Sequence, residues 1–334
     1  MRSVTYLHGL RAGSDLERVT NPKPARLRIL RSLERRWAKR KAAPRFDIVH
    51  GPNYALPDFD GAGIVTFHDL SVFRYPELHP PARVAHFEKD VRRALDRAAH
   101  LIADCEAIKQ ELIGFAGLDS SKVTAVPLGL SERFRPSSAE ERSAILRRYG
   151  LPETGYGLTV SSLEPRKRID RLLAAWRILP TAVRSRYPLV VAGAKGWHNE
   201  RLLEDIDRAV SEGWAISLGF VPDEALPGLL SGASLFVFPS VYEGFGLPPL
   251  EAMACGVPTL VAREPCLEEV TAGAAMLCDP EDISGFAAAI VQGLEDEPWR
   301  EGAISGGIQV AGGYTWQRCV DETVGVYQRV IAAR

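Results

Sequence analysis

The chain has 334 residues, 46% hydrophobic and 25% charged, with a formal net charge of −1, a length that suggests two domains, each large enough for its own core. This composition excludes a disordered chain and gives no ground for a general affinity for nucleic acid. Five scattered cysteines (Cys105, Cys255, Cys266, Cys278, Cys319) with no zinc spacing exclude a small disulfide scaffold, and read as reduced thiols of a cytoplasmic enzyme.

No apolar run is long enough to span a bilayer, and the N-terminus lacks the apolar core of a secretion signal. Val4 to His8 is a candidate first strand. From Pro22 to Arg45 ten Lys/Arg stand against one acid, Glu34, and an amphipathic helix is expected there with Leu27, Leu30, Leu33 and Trp37 inward. Residues 22–45 read either as a solvated helix on the outside of the first sheet or as a dock for anionic lipid.

Short β-branched and aliphatic runs then alternate with helical patterns, the signature of βαβ units. The first block holds Ile48 to His50, Ile64 to Phe67, Leu101 to Ala103 and Val123 to Val126. Gly61 and Gly63 precede a strand and so stand in the wrong place for a phosphate loop. A break is expected at "GLPETG", Gly150 to Gly155, where Gly and Pro interrupt the helical period. The second block holds Leu158 to Ser161, Leu189 to Gly193, Ile216 to Leu218, Leu235 to Phe238, Pro258 to Ala262 and Ala275 to Cys278, enough for one complete Rossmann-like sheet. Tyr314 to Ile331 reads as a helix with Trp316, Val320, Val324, Tyr327 and Ile331 on its core face.

In open parallel sheets ligands bind beyond the carboxyl ends of the strands. "SLFVFPSVYEGFGLPPLEAMACG" fits that address. Glycines in its loop let a ligand approach the backbone, and the following helix N-terminus favours an anion. Glu251 is an acceptor-only carboxylate suited to vicinal ribose hydroxyls, and Glu243 to hydroxyls of a sugar. After the first strand of the second block, "EPRKR" offers Arg166 and Lys167 to a diphosphate, cations that stabilise a departing leaving group without a metal. In the first block His68 and Asp69 end a strand at the same edge, and the imidazole is suited to a neutral hydrogen-bonding role. The remaining histidines have no ligand spacing.

With these residues the chain resembles a retaining glycosyltransferase of family 4 with the GT-B fold, two Rossmann-like domains facing a cleft. The resemblance rests on Glu243 and Glu251 in "FPSVYEGFGLPPLEAMACGVP", and on "FHDL", "VPLGL", "LEPRKRIDRLL" and "LGFVPDEALPGLLSGA" in that order, from Asp47 onward. It implies that Glu243 contacts the donor sugar, that the amides of Gly244, Phe245, Gly246 and Leu247 contact its phosphates with Lys167 and Arg166, that Glu251 holds the ribose, and that His68 lines the catalytic centre. Asp69 and Gly129 are expected in the cleft. Relatives carry a "GR" pair where this chain has Ser161 and Ser162.

The expected organisation is an α/β fold of a first domain at 1–150, its opening strand and glycine loop missing, a nucleotide-sugar domain at 151–313, and a helix at 314–334 crossing back. A truncated start or a divergent enzyme both fit the missing segment. The expected function is metal-independent transfer of a hexose, with retention, from a nucleotide-diphosphate sugar to a glycan or lipid-linked acceptor. No cofactor or metal is expected. The location is cytoplasmic, peripheral on the membrane if residues 22–45 dock there. A non-catalytic glycosyltransferase-like subunit and a GT-B sugar-nucleotide epimerase or sugar phosphorylase are the alternatives.

Overall fold

A computed structural model describes residues 8–10, 46–57, 59 and 61–333. The basic stretch 22–45 and residues 4–7 of the first candidate strand lie outside them. Two parallel sheets face each other through their carboxyl edges. In the first, β1 (His8–Leu10), β2 (Ile48–Gly51), β3 (Ala62–Phe67), β4 (Ala98–Ala103) and β5 (Val123–Ala125) lie in that order. Only β1 runs antiparallel, pairing His8 with His50. β2 and β3 are buried along their whole length, as strands covered on both faces must be, which is why they read as continuous apolar runs. The crossover helix Pro81–Arg97 starts on a proline at its first position, where the missing N–H costs nothing. The next, Glu106–Ala116, is capped by the Cys105 side chain and ends at Gly117 in the left-handed region.

The second sheet contains β6 (Gly157–Val160), β7 (Leu189–Ala192), β8 (Ala215–Gly219), β9 (Leu235–Phe238), β10 (Thr259–Ala262) and β11 (Met276–Cys278). Their order is β11-β10-β9-β6-β7-β8, the doubly wound arrangement in which winding reverses between β6 and β9. All six strands match runs expected from the sequence.

Two expectations are corrected. The helix Ala139–Tyr149, left in the first domain by a break at Gly150–Gly155, packs on the helix Leu226–Ser231 of the second, with Leu146 buried and Ser137 N–H donating to Ser231 Oγ at 3.0 Å. The chain therefore crosses between the sheets ahead of this helix, after β5. Gly150 and Gly155 mark a helix end, with Gly150 as its left-handed C-cap. The return crossing lies alongside the first: Leu130 N–H donates to Tyr314 O at 2.9 Å.

The helix Trp316–Ala332 does return to the first sheet, but on a different face from that expected. Val326, Tyr327 and Val330 join Ile48, Ala62, Ile64, Ile102 and Val126 in a small core, and Tyr327 Oη lies 2.6 Å from His50 Nδ1. Trp316, Val320, Val324 and Ile331 remain exposed. The helix carries two apolar stripes, and the period alone cannot say which meets the sheet. Among the described residues no helix is long and apolar enough to cross a membrane.

Candidate active site

The residues after β6 and β9 meet at the switch point. The 3-10 turn Pro165–Lys167 lifts Arg166 and Lys167 off the end of β6, and the loop after β9 brings Glu243 to them. Lys167 Nζ lies 2.5 Å from Glu243 Oε1 and 5.1 Å from the Phe238 ring centroid. Arg166 Nη1 stands 3.3 Å from Glu243 Oε2 and Nη2 3.2 Å from Glu164 Oε1. Burial opposes ionisation of Glu243, yet Lys167 and then Arg166 outweigh it and hold the carboxyl below its ordinary range. A sugar ligand and two phosphate ligands expected from the sequence thus form one buried ion cluster.

Beyond Glu243 the loop turns through Gly244, Phe245 and Gly246, and Gly246, at φ 94°, caps the helix Leu247–Ala254. Among the described residues no protein acceptor takes the N–H groups of Gly244, Phe245 or Gly246. Leu247, the first helical residue, has no intrahelical partner for its own. These amides and the helix dipole suit an anion, and they directly follow Glu243, the residue that the two cations hold. Gly244 is required for a further reason: a Cβ there would stand 1.9 Å from the carbonyl oxygen of His68 on the opposite sheet.

His68 and Asp69 are therefore brought to the loop that carries Glu243. His68 Nε2 lies 2.9 Å from the Pro52 carbonyl and its Nδ1 2.8 Å from Asp104 Oδ2. The carbonyl only accepts, so Nε2 carries a proton, and a second proton lies between Nδ1 and the carboxylate. Burial would lower the imidazole pKa, but Asp104 and Pro52 together raise it. Asp69 accepts from Ser71 N–H, and its own N–H donates to Tyr54 Oη, each at 2.8 Å.

Glu251 sits half-buried on the helix Leu247–Ala254, its pKa pushed up to about 7, first by burial and further by Asp223, against the pull of Arg133. Gly129 stands beside the crossing at Leu130. A Cβ there would meet Trp316 N at 2.3 Å, so the site of Gly129 is set by the paired crossings.

A family profile described as "Glycosyl transferases group 1" matches residues 144–310, and "Glycosyltransferase Family 4" matches residues 4–134. The chain is 38% identical over 301 residues to O-antigen chain mannosyltransferase B of Escherichia coli, covering 90% of this chain and 78% of that protein. The chain is a group 1, family 4 glycosyltransferase. The glycosyltransferase is also 30% identical over 240 residues to the serotype-specific mannosyltransferase WbdA of Escherichia coli, covering 71% of its own length but 29% of that protein. Among solved structures, Anabaena Alr3699/HepE in complex with UDP and glucose is similar at TM-score 0.67 and 21% identity, over 79% of this chain and 72% of that one. That likeness establishes the GT-B fold.

Several residues of the glycosyltransferase's site were not anticipated. Tyr242 donates to Glu111 Oε2 at 2.7 Å and accepts from Leu70 N–H at 2.8 Å. With Glu264, whose pKa is pushed up to about 7 chiefly by burial, Tyr242 and Glu111 line a cavity of about 530 Å³ between the sheets. Asp104 directly follows β4, so the rule that found His68 at a strand end would have found it too. Tyr242 lies in the loop after β9 beside Glu243 and was open to the same rule, whereas Glu111, within the helix Glu106–Ala116, carries no such signal.

Proposed function

We propose that this glycosyltransferase moves a mannosyl group, with retention and without a metal, from a nucleotide-diphosphate sugar to a mannose-bearing glycan. The observation that carries the reading is the Lys167–Arg166–Glu243 cluster at the switch point, with the Gly244–Leu247 amides following directly after Glu243. Cations and amides at one switch point suit a diphosphate that gains charge as its sugar departs. On that reading Lys167 and Arg166 turn from Glu243 to the phosphates, which leaves Glu243 to hold sugar hydroxyls, and Glu251 takes the ribose.

The acceptor hydroxyl attacks C1 from the face the diphosphate leaves. The new O–C1 bond forms as C1–O(phosphate) breaks, and the hydroxyl proton passes to the departing phosphate oxygen. Glu243 orients the sugar and is not the nucleophile. Mannose is favoured because the relatives described above are mannosyltransferases, and GDP-mannose is the first donor to try. A lipid-linked acceptor would be met at an anionic surface through residues 22–45, whose basic sequence supports that contact.

Thermal shift against GDP-, UDP- and dTDP-sugars, beside Lys167→Ala and Glu251→Ala, tests the donor site. Selective stabilisation by GDP-mannose, lost in both variants, supports it. Equal stabilisation in parent and variants overturns the residue roles. An inverted anomeric configuration in the NMR spectrum of the product overturns the mechanism.

A further inference from the structure

On the β7 side of the switch point, a second group of polar atoms lacks partners. His79 is 4% exposed, yet among the described residues neither ring nitrogen has a hydrogen bond, nor do the buried Arg83 Nε and Arg166 Nε. Buried polar groups are nearly always paired, so orphans gathered at one place call for a partner from outside the chain.

The two walls here belong to different domains. Leu78, His79 and Arg83 follow β3 of the first sheet, while Trp197 stands in the loop after β7 of the second. The Trp197 indole N–H donates to Leu78 O at 2.7 Å. Its ring lies 5.7 Å from that of His79 and 5.3 Å from the Arg83 guanidinium, which also covers Phe87 at 4.9 Å. His79 is near enough to Arg166, Glu164 and Asp69 to feel their charges, which places this corner beside the ion cluster, away from the ribose site at Glu251.

We propose that His79, Arg83 and Trp197 form the subsite for the accepting sugar, an uncharged pyranose whose apolar face lies on the Trp197 indole and whose hydroxyls bond to His79 and Arg83. The proposal rests on the hexosyl-transfer reading above. A tryptophan ring flanked by hydrogen-bonding side chains matches a pyranose, which presents C–H groups on its faces and hydroxyls around its rim. Burial, then Arg83 and Arg166, hold His79 below the ordinary histidine pKa. A neutral imidazole offers one donor and one acceptor, as a hydroxyl does. Because the walls come from different domains, the sugar enters as they part and is clasped as they close.

The test is saturation-transfer NMR of methyl α-D-mannopyranoside on the full chain with GDP present, with GDP affinity measured separately by titration calorimetry. Trp197→Ala and His79→Phe should each cut the sugar signal at least fivefold while GDP affinity stays within twofold. Trp197→Phe, which keeps a ring but loses the bond to Leu78, should retain most of the signal and so separate stacking from tethering. No signal from the parent protein, an undiminished signal in both variants, or a joint loss of sugar and GDP binding would each overturn the subsite. Displacement of the sugar by millimolar inorganic phosphate would overturn it too, by assigning the corner to an anion. If GDP fails to bind the parent protein, the donor reading falls, and the sugar signal still decides the subsite on its own.

Discussion

Glu251 and Glu264 are acids held far from their ordinary state. Burial is the first cause for both and pushes each up to about 7. The folded chain therefore keeps protons that the unfolded chain has released. Their contribution to stability is full below about pH 4.5, the ordinary glutamate value, and is lost as pH rises through about 7. A shift of this size is worth on the order of 3 kcal/mol per group. Glu251→Gln, a neutral isostere, should raise the Tm of the unliganded protein at pH 8 by up to roughly 6–12 °C, at about 2–4 °C per kcal/mol, and change it far less at pH 5. Parallel melting curves across that range would show that Glu251 titrates normally. The same substitution should weaken nucleotide binding, since it replaces a carboxylate acceptor: stability would rise where function is lost.

At the scale of elements, the loop after β9 shows what sequence could and could not say. Gly244 was read as room for a ligand, and the structure adds a second reason, the His68 carbonyl 1.9 Å from any Cβ placed there. Both groups are backbone, so neither yields unless the sheets move apart. Gly244→Ala should keep the fold, lower kcat by roughly 100-fold through misplacement of the two halves of the site, and enlarge the radius of gyration in small-angle scattering. Unchanged turnover would show that the sheets tolerate separation.

The inner strands of the second sheet, β6, β7, β9 and β10, were legible because a strand buried on both faces is a continuous apolar run, and the site loops because ligands gather at strand ends. Long-range choices were not. Lys167 and Glu243 are separated by 76 residues, and nothing local says they will touch. The face of Trp316–Ala332 that packs depends on strands more than two hundred residues earlier, and the glycines at Gly150 and Gly155 announce a helix end without saying which sheet that helix covers.

For the whole molecule, the question is what holds the two sheets together over the site. The crossings at Leu130 and Tyr314 tie them at one side. Elsewhere the contact is mixed: Phe67, Leu70, Cys105 and Ile108 share an apolar core with Tyr242, Phe245, Cys266 and Leu267, and polar bridges join Trp197 to Leu78 O, Tyr242 to Glu111 and Leu70, and Glu269, whose two carboxylate oxygens accept the Glu106 and Ala107 N–H groups at 2.8 Å each. This last contact caps the helix Glu106–Ala116 of one domain with an acid from the other. Water replaces most of each polar bond when the cleft opens, so each of these contributes modestly. A cap of this kind is worth about 1 kcal/mol, or roughly fivefold in the open-to-closed ratio. Glu269→Ala should therefore increase the radius of gyration of the unliganded protein, and saturating donor nucleotide should restore the compact form. If donor binds between the closed walls, as proposed above, its apparent Kd should rise by at most that factor of about five, in proportion to the fall in the fraction of competent molecules. Glu269→Gln keeps a single acceptor oxygen without the charge and should fall between parent and alanine variant. If scattering and affinity are both unmoved, the cap follows closure without driving it, and the paired crossings alone set the resting geometry of the cleft.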